Sequence, residues 1–302
     1  MKTIRDIAKE IQNVQIYPAI TRVEPNDKVT KFLFNFNAET YAALISGANI
    51  DVTEVKNHKK FGEVISTFKI ESVDSEPLTE FDRAVHAVCY SEFDAGNLYT
   101  TPNIIYRALT GKIGDSDANP SKDQRKAILK SVKKLMGTRY NPAVADAFEK
   151  LGYDKVVVKE SMLLPCIIVD VTVNGQRVED AIYFLCESPL WAIANAKDQI
   201  IRYNASLLDV PNLHNTPRVI MLKNYVMRRI QEIKLHKMTP TLTFSDIFKK
   251  ARITDASSQS KLDARKAVKI FFDHLQAKGV VKTFSLVKKA NQFHAVIFTY
   301  NK

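Results

Sequence analysis

LTEFDRAVHAVCYSEFDAGNLYTTPNIIYRALTGKIGDSDANPSKDQRKAILKSVKKLMG, residues 78–137, carries the punctuation that decides the fold. Thr79 stands three residues before Asp82, which predicts a helix whose first free amide is capped by the threonine hydroxyl. Phe81, Ala84, Val85, Val88 and Cys89 recur at helical spacing and give that helix an apolar face. Asp94-Ala95-Gly96-Asn97 breaks it, and LYT (98–100) reads as a short strand. Thr101-Pro102 opens a second helix, with proline at the first helical position, and Gly111 closes it. The polar loop KIGDSDANP leads to Ser121, which has Gln124 three residues on. A third helix is expected from there to Met136, stopping at Gly137.

Working outward, VVVKESMLLPCIIVDVTV (156–173) reads as extended segments. Asn174-Gly175, flanked by alternating residues through QRVEDAIYFL, predicts a β-hairpin. A connecting helix is expected from Ser188-Pro189 through about Tyr203, followed by the linker LLDVPNLHN. The pattern then returns. Thr216-Pro217 opens a long helix, Thr243 caps a short one, residues 258–278 form a third helix ended by Gly279, and a hairpin turns near Ala290-Asn291. Helix, strand, helix, helix and hairpin describe a winged helix. The expected fold is therefore α+β with two tandem winged-helix units, at 77–187 and 216–302, joined by 188–215. The first 76 residues are expected to form a small mixed region. A short helix over 4–11 and strands at KFLFNFN and EVISTFKIESV are read there, but no motif.

Charge is distributed unevenly. Residues 218–302 hold 18 Lys/Arg against 5 Asp/Glu, a net charge of +13, within a chain of net charge +11. A basic third beside a nearly neutral body points to a polyanionic partner. The two third helices give that partner a place. Lys122, Lys126, Lys130, Lys133 and Lys134 share one arc of the first, opposite Ile128, Leu129, Val132, Leu135 and Met136. Ser121, Lys122, Gln124 and Arg125 crowd its N-terminal end. In the second, Lys261, Arg265, Lys266 and Lys269 oppose Ala264, Ala267, Val268, Phe271 and Leu275, with Phe272 at the edge. Ser257, Ser258, Gln259 and Ser260 precede it and can cap it or donate to phosphates. Lys282, Lys288 and Lys289 add charge from the hairpin. A helix with one apolar and one cationic face can pack on its neighbours and enter a major groove. Double-stranded DNA is the expected partner. Arg228 and Arg229 on the long helix are read as backbone contacts or as exposed structural residues.

Signals for catalysis are missing. The six histidines stand singly, with no His-x-His pair. Gly111-Lys112 lacks the context of a phosphate-binding loop, and no Gly-x-Ser-x-Gly elbow occurs. The expectation is a protein that is not an enzyme, with no cofactor and no metal. Cys89, Cys166 and Cys186 form no CxxC pair and read as buried thiols of a reducing cytoplasm. No run of about 18 apolar residues occurs, so no membrane span is expected. Charges in MKTIRDIAKEIQ argue against a signal peptide.

The string from Leu78 to Lys112 resembles the first winged helix of bacterial replication initiators from plasmids and integrated mobile elements, of the type that binds origin repeats. SPLWAIANAKDQIIRYNASLLDVPNLHNTPRVIMLKNYVMRRI resembles the junction into their second winged helix. TFSDIFKKARI with ARKAVKIFFDHLQAKGVV resembles that second domain. The resemblance covers about residues 77–302. It implies binding to repeated origin sites, opening of the duplex, recruitment of a host helicase or initiator protein, and in some members repression as a homodimer. It places recognition on Lys122, Arg125, Lys126, Lys130 and Lys133, and on Lys261, Arg265, Lys266 and Lys269. A winged-helix transcriptional regulator is the alternative with the same DNA-binding fold. A DNA-processing enzyme and a protein-interaction module are the remaining two.

Overall fold

The computed structural model describes residues 18–27, 30, 50–58, 62–72, 78–144, 156–157, 162–173, 176–196, 198–254, 256–289 and 292–300. The helix expected over 4–11, the strand over 31–37 and the two hairpin tips lie outside the described residues. What is described mixes helices with antiparallel sheets, an α+β chain.

Three helices, α1 (Glu80–Asp94), α2 (Pro102–Thr110) and α3 (Lys122–Gly137), follow one another, with the short strand β4 (Tyr99–Thr100) after the first. Their starts are those the sequence specifies. Thr79 and Ser121 form reciprocal capping boxes with Asp82 and Gln124, and the Thr101 hydroxyl accepts from the Ile104 amide. Each satisfies amides that have no partner within the helix. Gly111 ends α2 in the left-handed region at φ 83°. Gly137 makes no such stop; the chain leaves α3 directly into β5 (Thr138–Val144). The β7–β8 hairpin (Cys166–Val173, Gln176–Phe184) completes the unit, and β4 pairs with β8 in the sheet order β4-β8-β7.

The same order recurs downstream. It runs α5 (Pro217–Leu235), β10 (Thr241–Thr243), α6 (Phe244–Lys250), α7 (Ser258–Ala277), then the β11–β12 hairpin (Thr283–Lys289, Gln292–Thr299). Here too the short strand pairs with the second hairpin strand, in the order β10-β12-β11. The first unit differs by an excursion between α3 and its hairpin. There β5 joins β2 (Ile50–His58), β3 (Gly62–Ser72) and β6 (Val156–Val157) in a four-stranded sheet.

One expected element changes type. The connecting helix α4 runs only from Pro189 to Ala196. Asp198 adopts φ 51°, and Ile200–Asn204 is a strand, β9, paired antiparallel with β1 (Thr21–Pro25). From Ile201 to Asn204 buried and exposed residues alternate, as in a half-buried strand, but the partner lies in a remote part of the chain.

Besides a small apolar cluster of Tyr99, Ala181 and Tyr183, two large ones result among the described residues. One is built around Trp191, fully buried from α4, with the Tyr90 ring stacked on it at 4.8 Å and His86 at 5.2 Å. The other gathers α5, α6, α7 and the second hairpin. Phe272, expected at an edge, is completely buried there against Phe284 and Phe298. Cys89 and Cys166 are buried thiols, as expected. Cys186 is exposed, because it follows β8 where the chain leaves the sheet. No helix among the described residues is long and apolar enough to cross a membrane.

His86 makes the first core pH-sensitive. Its Nε2 faces the Leu163 carbonyl at 3.2 Å and its Nδ1 accepts from Trp191 Nε1 at 3.4 Å, which fits the neutral ring with the proton on Nε2. Burial pushes its pKa down to about 4, against a small opposing pull from the carbonyl. The unfolded chain therefore takes up this proton first as pH falls. The stability His86 contributes is complete above about 6.5 and is lost toward pH 4. Between pH 7 and 5 the loss is about 2 kcal/mol. Urea titrations of the parent and His86→Gln should show a smaller loss over this range in the variant; equal losses would assign the pH dependence elsewhere.

Candidate nucleic-acid interface

On α3, Lys122, Lys126, Lys130 and Lys133 all face solvent, one above the next along the helix. Lys134, read into the same arc, does not belong to it. It is buried, and its ammonium donates to Asp82 Oδ2 at 2.7 Å. Asp82 is also the capping-box carboxylate of α1, so one side chain caps α1 and binds α3. Helical spacing alone puts Lys134 at the edge of the stripe; the packing of α1 over that edge turns it inward.

The N-terminal end of α3 is held from several sides. Ser121 caps it. Gln124 accepts from the Ser121 amide and donates through Nε2 to the Asn215 carbonyl at 2.6 Å, tying α3 to the linker. Arg125 Nη2 donates to Asn103 Oδ1 at 2.8 Å, and Nη1 stands 4.0 Å from Asp180. The loop before it is fixed by Arg107, which donates to the Ser116 and Ala118 carbonyls. Neither Arg107 nor Asn103 was picked out by the sequence reading. Their signal is only that a polar residue sits on a helix beside a loop it can reach.

On α7 the solvent face is rotated from the expected one. Between Lys261 and Asp273 its exposed residues are Leu262, Asp263, Lys266, Lys269, Ile270 and Asp273, two lysines beside two acids. Lys261 and Arg265 lie on the flank, half-buried. The Arg265 guanidinium lies over the rings of Phe248 (5.1 Å) and Phe244 (5.8 Å), a cation–π arrangement that braces α7 on α6. Ser260 closes the start of the helix, its amide donating to Ser257 Oγ. Lys269 is salt-bridged to Asp273 at 2.8 Å in the open. Leu262 and Ile270 expose apolar side chains among these charges.

The hairpin lysines divide. Lys288 and Lys289 are exposed toward the tip, with Lys288 over the Phe293 ring at 5.1 Å. Lys282 is exposed at the foot, where its carbonyl accepts from Gln276 near the end of α7. The strand between them spans about 20 Å at ~3.4 Å per residue, so the three do not form one patch.

Part of the basic C-terminal third is not on the surface at all. Lys223 is buried and donates to the Leu208 carbonyl at 2.5 Å and Asn215 Oδ1 at 2.8 Å; burial lowers its pKa to about 8. Arg228, read as exposed, is completely buried. It meets Asp27 at 2.6 Å, Glu80 at 3.0 Å and Glu232 at 3.0 Å. Arg229 reaches Glu232 at 2.6 Å and Asp27 at 3.2 Å, and Lys250 reaches Glu80 at 3.3 Å. The excess of +13 is thus partly an internal complement to acids of the other unit.

Burial alone would raise the carboxyls of Asp27 and Glu80. Arg228 and Arg83 outweigh it at both, with Lys250 also acting on Glu80, and hold them below the ordinary range. At Glu24 burial wins over the same arginines and lifts the pKa, with the Tyr203 hydroxyl donating to Oε1 at 3.1 Å. Among the described residues no group of three or more His, Cys, Asp or Glu is placed to hold a metal ion.

No family model matches the sequence, and no curated protein matches it. Among solved structures the chain is similar in outline to two crystal structures of domains 2 and 3 of RctB. The first has a TM-score of 0.41 over 84% of this chain and 93% of that one. The second has a TM-score of 0.37 over 82% and 91%, and both are 9% identical to this chain. At that level the likeness carries no argument, and the interface stands on the residues described above.

Proposed function

We propose that the chain binds double-stranded DNA through two winged-helix units, with α3 and α7 as the reading helices, and that it acts as a replication initiator at repeated origin sites. One observation carries this reading. The same order of helix, strand, helix, helix and hairpin occurs twice with the same strand pairing, and both times the third helix presents lysines to solvent. Lys122, Lys126, Lys130 and Lys133 on α3, Lys266 and Lys269 on α7, and Lys288 and Lys289 on the hairpin are the phosphate- and base-contacting set. Arg125, held by Asn103, is the planar donor nearest the start of α3 and suits a guanine edge. The initiator role, with recruitment of host replication proteins, rests on the sequence resemblance. It involves no catalysis by this chain.

Binding-site selection from random duplexes tests the reading. One duplex sequence should be enriched, and its affinity should fall steeply with salt. If about 6 phosphates are neutralised, log affinity against log salt has a slope near −5. No enriched sequence together with a slope near zero would overturn DNA binding. Direct repeats of the selected site beside an AT-rich tract would support initiation, whereas a single palindrome over a promoter would favour a transcriptional regulator.

A further inference from the structure

Residues 19–27 run between the two three-helix units and bond to both. β1 pairs with β9 of the connecting segment. Along α1, the Ala19 amide donates to Glu92 and the Val23 amide donates to Ser91 Oγ. Arg22, fully buried, donates to the carbonyls of Ala84 on α1 and Ala108 on α2 and to Asn224 Oδ1 on α5. Asp27 completes the bridge. Its Oδ1 accepts from Arg83 of the first unit and from Arg228 of the second, both at 2.6 Å, and its Oδ2 accepts from Arg229 at 3.2 Å. Its amide donates to Glu232 at 2.8 Å.

We propose that this segment, through Asp27, fixes the angle between the two units and thereby the spacing of α3 and α7. Two guanidiniums from different units share one carboxylate oxygen. With the carboxylate they attract a common point; without its charge they are joined through Glu232, which Arg228 meets at 3.0 Å and Arg83 only at 3.9 Å. The covalent link from Asp209 to Thr216 contains no helix or strand, so it supplies a tether more than an angle. Asp27 is a positioning residue, and it acts through the arginines. The consequence for DNA rests on the reading proposed above; the fixed angle does not. Two sites held rigidly in phase bind with an avidity that independent sites lack.

The test uses the full chain carrying Cys186→Ser, with nitroxide labels on cysteines placed at the exposed positions Asp94 and Ala277, one in each unit. The other two cysteines are buried. The parent should give one narrow distance distribution, and Asp27→Asn a broad one with unchanged far-ultraviolet circular dichroism. Arg229→Gln removes the partly exposed guanidinium on Asp27 Oδ2 at lower risk to folding, and should broaden the distribution less. A distribution as narrow as the parent's in folded Asp27→Asn would overturn the proposal. Should Asp27→Asn not fold, an unchanged distribution in Arg229→Gln would overturn it instead. On the selected duplex, a half-turn insertion between the stretches that α3 and α7 would contact should cost the parent on the order of 100-fold in affinity, and Asp27→Asn less than about 10-fold. If the parent binds no duplex while Asp27→Asn still broadens, the DNA reading fails and the clamp stands. If both proteins need the same helical phase, the clamp fails and the DNA reading stands.

Discussion

Gly111→Ala should lose about 3–5 kcal/mol of stability, and Gly111→Val should not fold, whereas Gly96→Ala should lose only about 1–2 kcal/mol. The two glycines have nearly the same backbone, φ 83° and φ 86°. Both left-handed positions strain any other residue. Their surroundings differ. A Cβ at Gly96 meets nothing within 4 Å. At Gly111 it lands 2.6 Å from the Leu208 carbonyl carbon and 2.9 Å from the Ala205 oxygen, and closer still to the Asp209 nitrogen. All three are backbone atoms and cannot swing aside. They belong to the 3-10 turn Ala205–Leu208 and its C-cap Asp209, and Lys223 ties the turn to α2 by donating to both the Thr110 and Leu208 carbonyls. Moving the turn to make room would break those bonds. The difference between the two alanine variants in urea unfolding isolates the contact from the backbone strain. Equal losses would mean that the linker turn does not press on α2.

Arg228→Met should cost about 3–5 kcal/mol, because it removes one member of a buried ion cluster and leaves the other charges without their partner. Arg229→Met, at the half-open rim of the same cluster, should cost roughly 1 kcal/mol or less. The pH dependence gives a sharper signature. In the parent, Asp27 and Glu80 have depressed pKa values. The stability they contribute is present above the unfolded carboxyl range, near pH 4, and is lost as pH falls through it. Arg228 is the largest of the charges that hold the Glu80 carboxyl down, and without it burial works against Arg83 and Lys250 alone, so the carboxyl should shift upward. Acid should then cost the variant less stability than it costs the parent. From pH 7 to 5 the gap between parent and variant should narrow. A constant gap in thermal or urea unfolding would show that the loss is one of packing volume and not of charge.

The elements that could be read from residues are those whose physics is local. Thr79 with Asp82, Ser121 with Gln124, Thr101-Pro102 and Thr216-Pro217 each close a bond or fix a dihedral within four residues, and each begins a helix where expected. The β7–β8 hairpin is likewise local: Asn174-Gly175 with flanking alternation sets the pairing of Val173 with Gln176. The stripe Lys122, Lys126, Lys130, Lys133 follows from helical spacing alone. Lys134 fails by the same logic, because one residue at the stripe's edge is claimed by a carboxylate from another helix. The rotated face of α7 has the same origin: Phe244 and Phe248 draw Arg265 inward, and which helix lies alongside is not written at positions 258–277.

The sequence by itself determined the order of elements, their caps, the repeated helix–strand–helix–helix–hairpin pattern and the lysine stripe of α3. Only the tertiary structure decided which charges stay inside. Arg228 and Arg229 read as surface residues because a buried cation is costly unless paired. Their partners Asp27 and Glu80 lie some 150 to 200 residues upstream, at separations of 148 and 202 at the extremes. Nor could β9 be told from the end of a helix before β1 was seen beside it. Caps and periodicity are enforced by neighbours along the chain. Ion pairing and strand pairing are enforced by neighbours in space, and residues 19–27, without a motif of their own, become a bridge only when both units close on them.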